Sequence, residues 1–267
     1  MHQCSAFWGT LRYEFRMQVH RRALWMPFGF FLLVLLGILL ITPPKLRDDF
    51  VQLSRFPVRD VVVSWANQLN SVLPILFGVL LADRLSRDQK TRVEELLTTL
   101  PGSLSSRLTG KYLGTVLATL LPIALLYFGG IVYILIRTEN GLAVLWALAA
   151  FASVMLPGLL FVGAFSLACP RVIWTPVYQF LFVGYWFWGN LFPPGTAIPT
   201  LSGTILTPIG GYAASAFFHA QFLANTSNQI PPATVPQALA SIALLLAIAA
   251  LVLLALWSLM KWQQVHQ

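Results

Sequence analysis

Charged residues are scarce in this chain of 267 residues, because Asp, Glu, Lys and Arg make up only 10% of it. Soluble proteins carry about a quarter charged residues. No charged residue occurs between Val172 and Met260, and 57% of the chain is hydrophobic. A water-facing surface cannot be built from such a composition, so lipid must surround most of the chain. The sequence therefore excludes an ordinary soluble domain and predicts an integral membrane protein.

Cysteine is also scarce, with Cys4 before the first apolar stretch and Cys169 at the end of the fourth. Both are expected to face the cytoplasm, where disulfides are rare, and two isolated cysteines do not predict a metal site. The common catalytic motifs are missing, since neither His-Glu-x-x-His nor Gly-x-Ser-x-Gly occurs. The stretch from Gly102 to Lys111 has the wrong spacing for a phosphate-binding loop. We therefore expect no catalytic site, and no cofactor or metal bound by this chain.

Six apolar stretches of about 20 residues predict an all-α integral membrane protein with six transmembrane helices. Four of the stretches contain a proline, which membrane helices tolerate. Because there is no internal repeat and no long linker, we expect a single transmembrane domain over residues 1–267. The predicted spans are Leu24–Ile41, Val61–Ala82, Tyr112–Ile136, Leu142–Ala168, Val172–Asn190 and Gln237–Lys261.

The net charge of +8 comes from 17 Lys and Arg residues against 9 Asp and Glu residues. These basic residues lie between the apolar stretches, where they orient the chain and meet anionic lipid head groups. Nucleic acid is therefore not an expected partner. The two termini and the connections on their side of the membrane hold twelve of the Lys and Arg residues. The connections on the other side hold five. This asymmetry predicts a multi-pass protein of the cell (inner or plasma) membrane with both termini in the cytoplasm.

The N-terminal residues are too polar to insert, yet apolar side chains recur among them at helical spacing. The pattern predicts an interfacial helix over residues 5–23, lying along the cytoplasmic surface before the first span. A poorly ordered basic tail is the alternative, because Gln18 interrupts the apolar face. The apolar residues of that face are Phe7, Leu11, Phe15 and Val19.

Residues 191–235, before the last predicted span, are uncharged and rich in Pro and Gly. The apolar run Ile205–Phe218 within them is too short to cross a membrane. Irregular backbone at membrane depth must be buried in protein or line a cavity. We therefore expect an outer re-entrant helical segment over residues 191–235, with an extracellular cap as the alternative.

The connection between the second and third predicted spans, residues 83–110, contains the most informative pattern. Thr91 and Glu94 form a capping box that begins a helix, and Pro101 ends it. The helix would be short, amphipathic and mounted on two membrane helices. It either docks on a partner or packs back on its own bundle. Its apolar face consists of Val93, Leu96, Leu97 and Leu100.

This layout resembles the membrane subunit of an ABC type-2 transporter. That family has an interfacial elbow helix, six spans and an outer re-entrant segment. It also carries the pattern Gly-Thr-x-Glu-x-Leu-Leu-x-x-Pro, followed by a basic residue and Gly-Lys. This chain has Lys90 in place of the first glycine and a longer spacing between Thr91 and Pro101 than the pattern has. The residues that match the pattern are Thr91, Glu94, Leu96, Leu97, Pro101, Arg107, Gly110 and Lys111.

The resemblance implies that the helix is a coupling helix, which docks on a separate ABC ATP-binding subunit. ATP and Mg²⁺ would then be bound by that partner, and this chain would not itself be an enzyme. A second permease copy or a homologous permease is also implied, with ATP-driven transport, more often export, as the function. The implied coupling residues are Thr91, Val93, Glu94, Glu95, Leu96, Leu97, Leu100 and Pro101.

Polar residues within the predicted spans are candidates for a translocation pathway. Asn67 and Asn70 are three residues apart and share a helix face, and Tyr178 and Gln179 lie in the fifth span. Polar side chains in membrane helices usually face the bundle. Hydrogen bonding between helices is the alternative role.

Aromatic residues near the outer end of the fifth span are candidates for an outer gate that excludes water. Anchoring of these rings at the membrane interface is the alternative. The candidate gate residues are Trp188, Phe192, Phe217 and Phe218.

Other functions stay open from the sequence alone. The chain could be a non-transporting scaffold, an intramembrane enzyme subunit or an uncoupled channel. No Asp, Glu, Lys or Arg lies in the interior of a predicted span, which argues against a proton-driven carrier. An adjacent reading frame for an ABC ATPase would favour the permease.

Overall fold

The computed structural model describes residues 2–41, 56–90, 103–192, 199–220 and 233–265. Every regular element in these ranges is helical, which confirms the all-α prediction for them. One helix, α5, is irregular: it runs from Leu142–Ala150 through a π-helical turn, Phe151–Met155, into Leu156–Ala168. The other helices are α1 His2–Val19, α2 Arg22–Ile41, α3 Val58–Lys90, α4 Leu104–Thr138, α6 Thr175–Leu191, α7 Gly211–Phe218 and α8 Val235–Val265.

Four of the described helices contain segments long and apolar enough to cross a membrane. The joined helices α1 and α2 pass the same test together, with a bend of 52° between them, which makes a fifth. Helix α6 has 17 residues and is about 25 Å long, less than the ~30 Å of a hydrocarbon core. A multi-pass membrane architecture is therefore supported, whereas six spans stay a prediction. The four segments are Val58–Ala82, Leu104–Thr138, Leu142–Arg171 and Val235–Gln263.

The connection predicted at residues 83–110 is shorter than expected, because helix extends into it from both sides. Helix α3 continues past Ala82 to Lys90, and α4 begins at Leu104 rather than at Tyr112. Ser103 caps the start of α4, since its side chain accepts a hydrogen bond from the backbone N–H of Ser106 at 3.3 Å. Both helices are therefore longer than the apolar spans predicted from the sequence.

The core forms where α3 packs against α4, α5 and α6. Large apolar side chains fill the centre of the bundle without exposure to the exterior. Helices α2 and α8 instead leave long apolar faces exposed, which suits a surface that contacts lipid rather than water. The largest fully buried side chains include Tyr127, Phe77, Phe218, Leu73 and Ile123.

Helix α1 ends at Val19, earlier than the interfacial helix predicted over residues 5–23. A break at His20 and Arg21 separates it from α2. The predicted apolar face does not lie free for lipid, because α1 packs along the first part of α4. Gln18, which interrupts that face in the sequence, is buried there. The position of α1 at a membrane surface stays a prediction.

The described part of the predicted re-entrant segment 191–235 holds a series of turns followed by one short helix, α7. Residues 193–198 and 221–232 lie outside the described ranges. Most of α7 is buried, and it contacts α3, the π-helical turn of α5 and α8. Gly210 precedes it with a φ of 83°, a left-handed conformation that glycine adopts without strain. Thr207, Pro208 and Ile209, which lead into α7, are therefore covered by protein, while a re-entrant element stays a prediction.

Candidate functional site

The eight predicted coupling residues, from Thr91 to Pro101, lie outside the described residues. The helices on either side of them are α3, which ends at Lys90, and α4, which begins at Leu104. Both contact α1. This end of the bundle, formed by α1, the end of α3 and the start of α4, is called the α1 end below.

A buried ion pair joins α1 to α3 at the α1 end. The guanidinium of Arg84 donates a hydrogen bond to the carboxylate of Glu14. The two side chains are only 6% and 9% exposed. The same guanidinium also reaches the sulfur of Met17, at 3.7 Å. Because a buried charge is costly unless it is paired, this contact fixes α1 against α3 in one register.

Two glycines bring α1 into close contact with α4. A Cβ atom on Gly110 would lie 3.1 Å from the backbone oxygen of Phe7, and one on Gly114 would lie 2.8 Å from that of Leu11. At Gly114 a larger residue would push the helices apart, whereas at Gly110 the neighbouring atoms would have to move by only a few tenths of an ångström. The spacing of these glycines, with three residues between them, is typical of close helix packing in membranes.

Other polar and charged side chains converge near this ion pair. Lys111 is partly buried and interacts electrostatically with Glu14, Arg84 and Arg171. Arg171, just after α5, donates a hydrogen bond to the side chain of Gln263 in α8 at 2.9 Å. The α1 end therefore links five helices through polar contacts, and most of the described buried charge is placed there.

Asn70, a predicted pathway residue, lies fully buried near the middle of the apolar span Val58–Ala82 of α3. Its side-chain nitrogen is 2.8 Å from the backbone oxygen of Ile209 and 3.2 Å from those of Pro208 and Val154. One amide group thus joins α3 to the π-helical turn of α5 and to the turns before α7. In this structure Asn70 performs the helix-joining role that the sequence left as the alternative.

The segment before α7 packs against the π-helical turn of α5. Pro157 has no N–H to donate to the preceding turn, and the turn widens just before it. The absence of a side chain at Gly158 lets the backbone oxygen of Pro208 approach: a Cβ there would lie 1.9 Å from that oxygen. The widened turn and the glycine together create the place where the chain packs into α5.

The other three pathway candidates are distributed along α3 and α6. Tyr178 shares a hydrogen bond of 2.9 Å with Ser166, and Gln179 donates to the backbone oxygen of Val79 at 3.1 Å. The side-chain oxygens of Asn67 and Asn70 are buried and accept no hydrogen bond from the described residues. Buried acceptors without donors are uncommon, and Asn70 already joins α3 to other elements, so Asn67 remains the stronger pathway candidate of the two.

The described ring contacts do not bring the four predicted gate residues into one cluster. Trp188 stacks on Phe192, with ring centroids 4.9 Å apart. Phe218 instead lies edge-on to Trp146, at 5.9 Å, and Phe217 is partly buried. The described ring contacts therefore do not join α6 and α7 into a single aromatic plug.

Sequence reasoning missed the residues that hold the α1 end together. Glu14 was unremarkable in a polar N-terminal stretch, and Arg84 read as one basic residue among several in a connection. Two signals could have found them: Glu14 and Gln18 are four apart on the apolar side of α1, and the Gly110–Gly114 spacing predicts a close helix contact.

Replacing Asn70 with leucine should destabilise the fold by about 1–3 kcal/mol, because the three backbone oxygens lose their shared donor. Asn70→Asp keeps the size but faces a carboxylate toward those oxygens, so it should be at least as damaging. Gln68→Leu, an exposed position two residues away on α3, is the control. Thermal unfolding in detergent measures the effect, and equal stability of all three variants would show that the amide is not structural.

Comparisons with protein-family models, with curated proteins and with solved structures found no match for this chain.

Proposed function

We propose that this chain is the transmembrane subunit of an ATP-driven ABC transporter and that it exports its cargo. Two copies, or one copy and a homologous permease, pair with two ABC ATP-binding subunits. Those subunits bind ATP and Mg²⁺, and this chain binds neither. The permease lies in the cell membrane with both termini in the cytoplasm.

The observation that carries the proposal is the pattern from Thr91 to Lys111, which connects the two longest described helices, α3 and α4, and continues into the first turns of α4. A capped amphipathic helix in this position has a rigid mount on either side. Glu94 and Glu95 supply acceptors for Arg or Lys side chains of a partner. The pattern thus fits a docking element better than an ordinary connection.

In this proposal α6 is the fifth of six spans, although it is short. Its 17 residues are at the lower limit for a transmembrane helix. Local thinning of the bilayer accommodates short spans at modest cost. Helix α1 corresponds to the elbow helix, and the segment that contains α7 corresponds to the re-entrant element.

ATP binding would close the two ATP-binding subunits and draw the coupling helices together. The spans would then rotate as rigid bodies between inward-facing and outward-facing states. Asn67 and Asn70 on α3, with Tyr178 and Gln179 on α6, are the proposed lining of the pathway. Trp188 and Phe192, with Phe217 and Phe218, are the proposed outer gate.

Purification of the tagged chain from its native membranes tests the proposal. We expect an ABC ATPase, recognisable by its Walker A and signature motifs, to co-purify in a ratio close to one per permease. A well-folded permease that repeatedly purifies without any such subunit would favour a scaffold or a channel instead.

A further inference from the structure

One helix holds both sides of the proposed coupling segment. Arg84, shortly before Thr91, is paired with Glu14 of α1. Gly110, shortly after Pro101, lies against the backbone of the same helix. Helix α1 therefore bridges the end of α3 and the start of α4, which are the two mounts of the segment.

The contacts of α1 are of a kind that resists sliding. Glu14 and Arg84 are nearly inaccessible, so separating them would cost each buried charge a partner at hydrogen-bond distance. At Gly114 even one added carbon would lie 2.9 Å from the Cβ of Glu14. Axial movement of α1 along α4 would therefore bring side chains into collision. These features favour movement of α1, the end of α3 and the start of α4 as one rigid body.

An anchor on a lipid surface has no need of a buried ion pair. Apolar side chains of similar size would hold α1 on α3 at least as well, because they avoid the desolvation of two charges. Buried ion pairs are best attested where they fix one register against alternatives. Here the fixed register is that of two helices on either side of a proposed force-bearing segment.

We propose that α1 clamps the two mounts of the coupling segment, and that Glu14 and Arg84 are positioning residues through which ATPase motion reaches α3 and α4. The clamp rests on the proposed function. Without the clamp, movement of the segment is absorbed in the connection between α3 and α4. The ATPase then binds and hydrolyses ATP, but the spans do not respond.

The test uses the full-length chain in complex with the ATPase that co-purifies with it, in vesicles. Cys4 and Cys169 are replaced by serine, and a cysteine is placed at Gln68, an exposed position on α3. A polar maleimide is the probe, and its reaction is quantified on the peptide that contains residue 68. The readout is the ratio of labelling rates with and without ATP plus vanadate, so no cargo is needed.

In the parent complex we expect the labelling ratio to be about fivefold or more. Glu14→Gln should reduce the ratio to less than about twofold, while the amount of bound ATPase and its hydrolysis are kept. Glu139→Gln, at an exposed position beyond the other end of α4, is the matched control and should leave the ratio unchanged. A Glu14→Gln complex with the same labelling ratio as the parent would overturn the clamp. The clamp would also be overturned if Glu14→Gln lowered only the amount of folded complex and left the labelling ratio unchanged.

A disulfide gives a second test that does not depend on the folding of Glu14→Gln. A Cβ on Gly110 would lie 3.2 Å from the Cβ of Thr10, close to the spacing that a disulfide requires. Oxidised Thr10→Cys/Gly110→Cys should keep the full labelling ratio, because α1 and α4 move together. Loss of the ratio on oxidation, with recovery on reduction, would overturn the clamp.

The two proposals fail in distinguishable ways. A parent complex with no ATPase, or with no nucleotide response at all, would overturn the proposed function and the clamp with it. A parent complex that responds, and that responds equally with Glu14→Gln, would overturn the clamp alone.

Discussion

Gly158→Ala should yield almost no stable protein. Its Cβ would lie 1.9 Å from the backbone oxygen of Pro208, and backbone cannot move aside as a flexible side chain can. Overpacking of this kind typically costs about 1–3 kcal/mol, and the rigid neighbour places this case above that range. The measurement is the yield of monodisperse protein in detergent, together with its thermal unfolding.

Other glycines provide the comparison. Gly129→Ala and Gly184→Ala change helix residues whose added Cβ would have no atom within 4 Å, so both should match the unsubstituted chain or exceed its stability. Gly210→Ala should resemble Gly158→Ala, because Gly210 has a positive φ and its Cβ would lie 2.4 Å from the backbone oxygen of Val154. Equal stability of Gly158→Ala and Gly129→Ala would contradict the packing of the turns before α7 into α5.

Glu94→Lys combined with Glu95→Lys should weaken ATPase association by at least about tenfold, because the partner's basic side chains lose their acceptors and meet like charge. Folding and insertion should be unaffected if both side chains face water. Co-purification of the ATPase from native membranes, normalised to the amount of permease, measures the change.

Charge reversal elsewhere controls for the change in net charge. Glu139→Lys, beyond the opposite end of α4, should leave ATPase association unchanged. Leu97→Asp separates the two roles of the apolar face: it weakens association alone if that face docks, and it destabilises the permease if the face packs inward. A double Glu→Lys chain that binds its ATPase normally would remove residues 91–101 from the mechanism.

The membrane character and the helices could be predicted from the sequence, because a lipid-facing helix must be apolar over a length that the bilayer sets. Every predicted span overlaps a described helix. The ends were less predictable, since packing on α1 and a serine cap extend α3 and α4 beyond their apolar parts. Hydropathy measures what lipid tolerates and says little about where a helix ends.

The contacts between distant parts of the chain could not be predicted. Asn70 is buried beside Val154 and Ile209. From the sequence one could predict only that a polar residue in a span faces protein, not which residues it contacts. Arg84 was assigned to a connection, yet it is buried because α1 folds back over it. In both cases the partner is a backbone oxygen or a side chain far along the chain, which periodicity does not reveal.

The central claim is that an ABC ATPase docks on residues 91–101, and site-specific photocrosslinking in native membranes tests it most directly. A photoreactive amino acid replaces Glu95, and the same probe at Arg137, an exposed residue at the opposite end of α4, is the control. We predict that irradiation joins position 95 to a polypeptide with Walker A and ABC signature motifs, and that position 137 does not react with it. Crosslinks from position 95 only to lipid or to the permease itself would contradict the account.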